Sequence, residues 1–241
     1  MANYISIDGG TTNTRIALIL DRTVIATKKY NIGAGAGTDC KKILGSTVAQ
    51  GISELLTKNG LSEKDIVRIL ASGMITSEFG LRLLPHQIVP VGLKDMKATS
   101  EEILMPEISS IPFVFMRGVK TDCKTLETAD MMRGEETELM GIAKPEYGKC
   151  VYALMGSHTK IIKTDSNGAI TDFVTMLTGE LCASAAHNTI LKNAFVLEDS
   201  ELDTEYLLKG FEYARKSTVS ESLFKVRILK NIFSYLPSFL L

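Results

Sequence analysis

The sequence predicts an α/β protein in which one supersecondary unit is used twice, and three observations carry that prediction. Strand-like and helix-like segments alternate along the 241 residues, the pattern of the α/β class. Near the N-terminus, Tyr4 to Ile7, the polar turn Asp8-Gly9-Gly10-Thr11-Thr12-Asn13, Thr14 to Leu20, the tight turn Asp21-Arg22 and Thr23 to Lys29 read as strand, turn, strand, turn, strand. The same order returns at Val151 to Met155, Gly156-Ser157-His158-Thr159, Lys160 to Lys163, Asp165-Ser166-Asn167-Gly168 and Ala169 to Met176. Each triplet leads into a helical stretch, Cys40 to Lys58 and Thr178 to Lys192, so two related lobes are expected.

Composition narrows the function. With 45% hydrophobic and 23% charged residues, the chain can bury a substantial core. Lysine and arginine total 27 against 28 acids, leaving a net charge of −1. No basic surplus exists to neutralise a nucleic-acid backbone, so nucleic acid is not an expected partner. The longest apolar stretches, such as Tyr235 to Leu241, fall far short of the roughly 20 residues that cross a bilayer. No basic segment leads into an apolar one at the N-terminus, so a secretory signal is not expected and a cytoplasmic protein is. Cys40, Cys123, Cys150 and Cys182 lie singly, without metal-site spacing, and are expected as reduced thiols in or near the core.

The remaining elements follow in order. Ile43, Leu44, Thr47, Val48, Ile52, Leu55 and Leu56 recur at spacings of three and four and predict one helical face within residues 40–58. Asp65 to Leu70 reads as a strand with Ala71 to Met74 as its exit. Leu83 to Ile111, with prolines at 85, 90 and 106, reads as loops and short elements on the first lobe. A helix is predicted from near Thr128-Ala129-Asp130 through Met131, Met132, Leu139 and Met140, ending near Gly141. After Leu197, two further helical runs carry Leu207 to Ala214 and Leu223 to Ile232.

Several of these junctions can hold chemistry. The paired glycines of the Asp8 to Asn13 turn permit a sharp bend that leaves N–H groups free for a phosphate, and Asp8 could hold Mg²⁺ through water; an ordinary hairpin turn is the other reading. Gly156, Ser157, His158, Thr159 and Lys160 offer matching chemistry in the second copy, and two such turns facing one cleft would form a clamp. Lys160 can instead be a solvated strand residue, and His158 a structural hydrogen-bonding one. In Arg133-Gly134-Glu135-Glu136-Thr137, a glycine near a helix start implies that the backbone approaches something closely. Adjacent carboxylates diverge by about 100° on a helix, so only one of Glu135 and Glu136 can face a given cleft. One could be a base and the other a salt-bridge partner, or both could be exposed glutamates favoured by the helix dipole. Gly73, Met74 and Ser77 follow a strand end, and Thr178-Gly179-Glu180 occupies the matching junction; ligand contact and simple capping are both open there.

Taken together, Asp8 to Asn13, Gly73-Met74-Ile75 with Ser77 and Gly80, Ala129 to Thr137, Gly156 to Lys160 and Met176 to Leu181 resemble the 2-dehydro-3-deoxygalactonokinase family. That family is a branch of the sugar kinase, Hsp70 and actin superfamily. The resemblance implies a duplicated ribonuclease-H-like (actin-like ATPase) fold with two lobes around a cleft, residues 1–128 forming the first lobe and 129–241 the connecting helix and second lobe. It also implies transfer of the ATP γ-phosphoryl group, with Mg²⁺, to the 6-hydroxyl of 2-dehydro-3-deoxy-D-galactonate in galactonate breakdown. Glu136 is then the expected general base with Glu135 in reserve, and Arg133 a candidate partner for the sugar-acid carboxylate or for Glu136 or Asp130. Leu81 stands where many relatives carry tryptophan. Family members continue beyond the point matched by Leu241, so the second lobe is expected to be incomplete, with apolar surface that favours self-association. The alternative is a shortened, non-catalytic remnant that binds ligand or partner and holds ATP poorly.

Overall fold

The computed structural model describes residues 2–35, 40–194 and 203–232. Its first sheet starts from the predicted triplet. Strand β1 (Tyr4–Gly9) runs antiparallel to β2 (Thr14–Leu20), in register from Tyr4 opposite Ile19 to Gly9 opposite Thr14. Strand β3 (Thr23–Tyr30) continues the meander through Asp21 and Arg22, whose φ angles of 49° and 66° make the tight turn. Helix α1 (Cys40–Lys58) then carries the chain across to β4 (Arg68–Gly73), which pairs parallel with the free edge of β1.

After β4 come β5 (Gln87–Ile88), α2 (Leu93–Thr99), β6 (Glu101–Met105) and β7 (Ser109–Phe115). The large sheet has the order β3-β2-β1-β4-β7-β6, with β4 and β7 parallel and β6 antiparallel to β7. Alternation along β1, β2 and β4 sends Ile5, Ile7, Ile16, Leu18, Ile69 and Ala71 inward. Leu44, Val48, Ile52, Leu55 and Leu56, the predicted face of α1, join them in one buried cluster, as does Leu81.

The chain continues through β8 (Val119–Lys120), β9 (Met131–Met132), α3 (Glu135–Ile142), β10 (Cys150–Leu154), β11 (Thr159–Thr164) and β12 (Ile170–Met176). Short strands form the sheet β5-β8-β9, and the second triplet forms the sheet β10-β11-β12. A second buried cluster joins Val119, Met132 and Leu139 to Ile162, Ile170 and Phe173. Helices α4 (Gly179–Asn188), α5 (Thr204–Ala214) and α6 (Val219–Ile232) complete the described chain. Two compact units result: residues up to 154 with 160–175, and residues 155–159 with 176 onward. The 128/129 junction lies inside the first unit. No described helix is long and apolar enough to cross a membrane.

Three expectations are corrected. The strand expected at Asp65 to Leu70 begins only at Arg68, because Glu63 to Asp65 form a 3-10 turn after Ser62, and it extends to Gly73. The segment expected as loops and short elements contains β5, α2, β6 and the first three residues of β7; Pro112 is tolerated within β7 because the β6 pairing is irregular between Ile103 and Met105. The helix expected from Thr128 starts at Glu135, since Met131 and Met132 pair with Lys120 and Val119 and Gly134 breaks the run. Helix α4 stops at Asn188 rather than Lys192, where the Thr189 hydroxyl turns back to Ala185 and accepts the Leu191 N–H. The cysteines also depart from expectation: Cys123 and Cys182 are exposed and Cys150 is half-buried, so none of these three is a core residue.

Candidate active site

The Asp8 to Asn13 turn is held from beneath. The Gly10 N–H donates to the Asn13 carbonyl at 2.8 Å, and the Gly10 carbonyl accepts the Ala34 N–H at 3.0 Å. Buried Thr14, the first residue of β2, donates its hydroxyl to the Ile32 carbonyl at 2.7 Å. Thr11 and Thr12 are exposed, and among the described residues their N–H groups enter no backbone hydrogen bond. Two adjacent unpaired donors at a turn are what an anion needs. Asp8 is half-exposed and pairs with Arg15 at 2.9 Å.

The second turn, in the other unit, repeats this internal geometry. From Gly9 to Thr14 and from Leu154 to Thr159 the step is the same five residues. Thr159, buried like Thr14 at the start of its strand, shares a 2.7 Å hydroxyl contact with Thr178, and its N–H donates to the Thr178 hydroxyl at 3.2 Å. The Thr178 hydroxyl is therefore spent on the strand rather than on capping α4. A Cβ on Gly179 would sit 2.7 Å from the Gly156 carbonyl oxygen, just as one on Gly33 would run into Gly10 and Thr11. The Glu180 N–H donates to the Ser157 carbonyl at 3.0 Å, and the Glu180 carboxylate meets His158 Nε2 at 2.6 Å. Both turns are thus supported by a threonine and by a glycine three residues beyond the third strand of their triplet.

Within the first unit, three chain segments converge on the Asp8 end of β1. Gly73 closes β4 with φ +83°, and a Cβ there would lie 2.5 Å from the Gly9 carbonyl oxygen and 3.4 Å from Asp8 Oδ1. Gly134, at φ +121°, precedes α3, and a Cβ on it would come within 3.4 Å of the Gly73 Cα. The left-handed φ stops a helix from running through this position and restarts it at Glu135. Met74 is half-buried, and the Ser77 hydroxyl turns inward to the Met74 carbonyl at 2.7 Å.

The restarted helix carries both candidate bases in its first turn. Glu136 is fully buried; its two carboxylate oxygens accept the Gly134 N–H at 2.9 and 2.8 Å, and Thr137 donates to one of them at 3.2 Å. Burial pushes its carboxyl up to about 7, partly offset by those donors and reinforced by the neighbouring Glu135 charge. Glu135 turns elsewhere. One of its oxygens lies 3.6 Å from Lys160 Nζ, and the other accepts the Arg133 N–H at 3.3 Å. Lys160 is buried on β11, not solvated.

Arg133 has its guanidinium occupied. One terminal nitrogen donates to the Thr76 carbonyl and hydroxyl at 2.8 and 2.6 Å, the other to the Leu84 carbonyl at 3.0 Å and toward His86 Nδ1 at 3.3 Å. Of its proposed acidic partners, Asp130 is instead bonded to the Thr175 N–H and hydroxyl. Arg15 and His86 went unread in the sequence. A single histidine between Pro85 and Gln87 shows no periodicity, and only the fold brings it to Arg133. Burial, with the Arg133 and Lys120 charges, lowers His86 to about 4, so it is neutral near pH 7 and can accept from Arg133.

Among the described residues no group of three or more acidic, histidine or cysteine side chains could cage a metal. Asp8 fits the other mode, a single half-exposed carboxylate that binds Mg²⁺ largely through water.

Sheet order β3-β2-β1-β4-β7, with α1 crossing from β3 to β4 and the triplet repeated as β10-β11-β12, defines the class: a duplicated ribonuclease-H-like fold. The chain belongs to the 2-keto-3-deoxy-galactonokinase family, whose model matches residues 8–237. It is 26% identical over 203 residues to a probable 2-dehydro-3-deoxygalactonokinase of Rhizobium meliloti, an alignment covering 82% of this chain and 60% of that relative. A crystal structure from Sinorhizobium meliloti, carrying the 2-dehydro-3-deoxygalactonokinase name, is similar with a TM-score of 0.76 and 20% identity, covering 99% of this chain and 75% of the other.

Proposed function

We propose that the chain is a sugar-acid kinase that transfers the γ-phosphoryl group of ATP to the 6-hydroxyl of 2-dehydro-3-deoxy-D-galactonate. The observation that carries the reading is Glu136: a buried carboxyl near 7, at the start of α3, where Gly134 meets the Gly73 and Asp8 strand ends. A base poised near neutrality suits proton removal from an alcohol. In this reading the hydroxyl displaces the Gly134 N–H from one Glu136 oxygen and gives up its proton there. The freed oxygen bonds to the γ-phosphorus, the bond from that phosphorus to the bridging oxygen breaks, and ADP leaves.

The N–H groups of Thr11 and Thr12, with Gly9, Gly10 and Asn13 shaping the turn, receive phosphate oxygens; Gly156 and Ser157 are the candidates for that role in the second turn, where Thr159 spends its N–H and hydroxyl on Thr178. Asp8 would hold Mg²⁺, which when bound neutralises phosphate charge. Gly73, Met74, Gly179 and Glu180 remain candidates for sugar contact. Ser77, Thr178 and Arg133 spend their polar atoms on the protein itself and act by shaping the pocket wall.

The test is ADP release with the sugar acid, for this chain and for Glu136→Gln. Loss of a base typically lowers kcat by about 10²–10⁴-fold, and full activity in the variant would remove Glu136 from the mechanism. Glu135→Gln run in parallel shows which carboxylate matters. Calorimetry with ATP and Mg²⁺ separates turnover from the binding-only alternative, which requires weak nucleotide binding.

A further inference from the structure

We propose that Lys160 is a positioning residue that acts on Glu136 through Glu135, and not a ligand of the phosphates. The inference rests on the kinase reading of Glu136 and adds to it a residue from another strand.

Alternation along a strand sends neighbouring side chains to opposite faces. Thr159 uses its face to hold Thr178, so Lys160 projects to the other side, toward the start of α3. Only 5% of its side chain is exposed, against 28% for Glu135, and Glu135 is its ion-pair partner among the described residues, at 3.6 Å. A buried ammonium is costly unless an opposite charge compensates it, so this pair holds both groups in place. The Arg133 N–H on the second oxygen fixes the direction of Glu135 further.

The consequence falls on the next residue. The charged groups facing Glu136 are Glu135 from its own helix and Arg133 from the segment entering it, with Lys160 behind Glu135 from β11. Lys160 offsets the negative charge that Glu135 places beside Glu136. Without it, Glu136 keeps its proton to higher pH, and its carboxyl is protonated where the reaction needs a base.

The test compares the full chain with Lys160→Met, Lys160→Gln and Lys160→Arg. In kinase assays, the neutral variants should move the acid limb of the kcat profile to higher pH, by about one unit for an order-of-magnitude change in proton affinity. They should lower kcat at pH 7 several-fold while leaving the KM for ATP within about twofold, and Lys160→Arg should restore the profile. A raised KM for ATP on an unshifted profile would make Lys160 a phosphate ligand and overturn the proposal. A carboxyl carbon NMR titration, with the Glu136 signal assigned by its loss in Glu136→Gln, reads the same coupling without turnover. A higher Glu136 midpoint in the neutral variants supports the proposal, and an unmoved one overturns it. If the wild-type chain consumes no ATP with the sugar acid, the kinase reading fails while the NMR midpoints still decide the role of Lys160. Two neutral variants of different polarity guard against one failing to fold.

Discussion

Arg133 sends its two terminal nitrogens into the segment that follows β4, where they meet two carbonyls and a hydroxyl that face no other cation. Arg133→Met should leave the Leu84 carbonyl without its donor, while the Thr76 carbonyl keeps the Leu84 N–H and the Thr76 hydroxyl keeps the Gly73 carbonyl, and cost about 1–3 kcal/mol in urea denaturation followed by circular dichroism. Arg133→Lys should recover little, because a point-like ammonium cannot span both carbonyls as the planar fork does. Gly134 is equally constrained. Its φ of +121° lies where side chains are strained, and a Cβ would press on Gly73. Gly134→Ala is therefore expected to cost about 1–3 kcal/mol, and to lower kcat more than its loss of stability explains, since it shifts the donor that Glu136 leans on.

At the scale of elements, the two hairpin turns depend on the same device, a threonine hydroxyl tied to the residue before a glycine. Thr14→Val and Thr159→Val should each cost about 1 kcal/mol in the same denaturation experiment, and equal costs would mark the two copies as energetically equivalent. The strand triplets and α1 were readable from the sequence because each combines clear periodicity with strong turn residues. Helix α3 was not. Thr128 to Met132 has caps and apolar residues that suit a helix, but two-residue pairing of Met131 and Met132 with β8 takes priority, and local spacing cannot report a partner strand. Strand β7 was hidden for a related reason, as Pro112 reads as a breaker until the irregular β6 edge is seen. Among site residues, the turns and the acidic pair were legible as motifs. The occupied state of Arg133, the burial of Lys160 and the presence of His86 depend on residues about 25 to 60 positions away and had no sequence signal.

Across the whole molecule, Glu136 and His86 make opposite contributions to stability against pH. Glu136 has a raised carboxyl, so between about 4.5 and 7 the unfolded chain releases a proton that the folded chain keeps, and stability falls as pH rises. The loss is of order 3 kcal/mol and is complete above 7. His86 is lowered from 6.5 to about 4, so in that range the unfolded chain binds the extra proton and stability rises with pH, levelling above 6.5. In wild-type protein the two trends oppose each other between about 4.5 and 6.5. Glu136→Gln should unmask the rising trend and His86→Asn, which keeps an acceptor for Arg133, the falling one. Parallel curves for both variants in urea titrations across pH would contradict the assignment.

The exposed thiols have a practical consequence. Cys123 belongs to the first compact unit and Cys182 to the second. With Cys40 and Cys150 replaced by serine, a donor and an acceptor dye on these two side chains would form a molecular ruler that reports the separation of the units in solution.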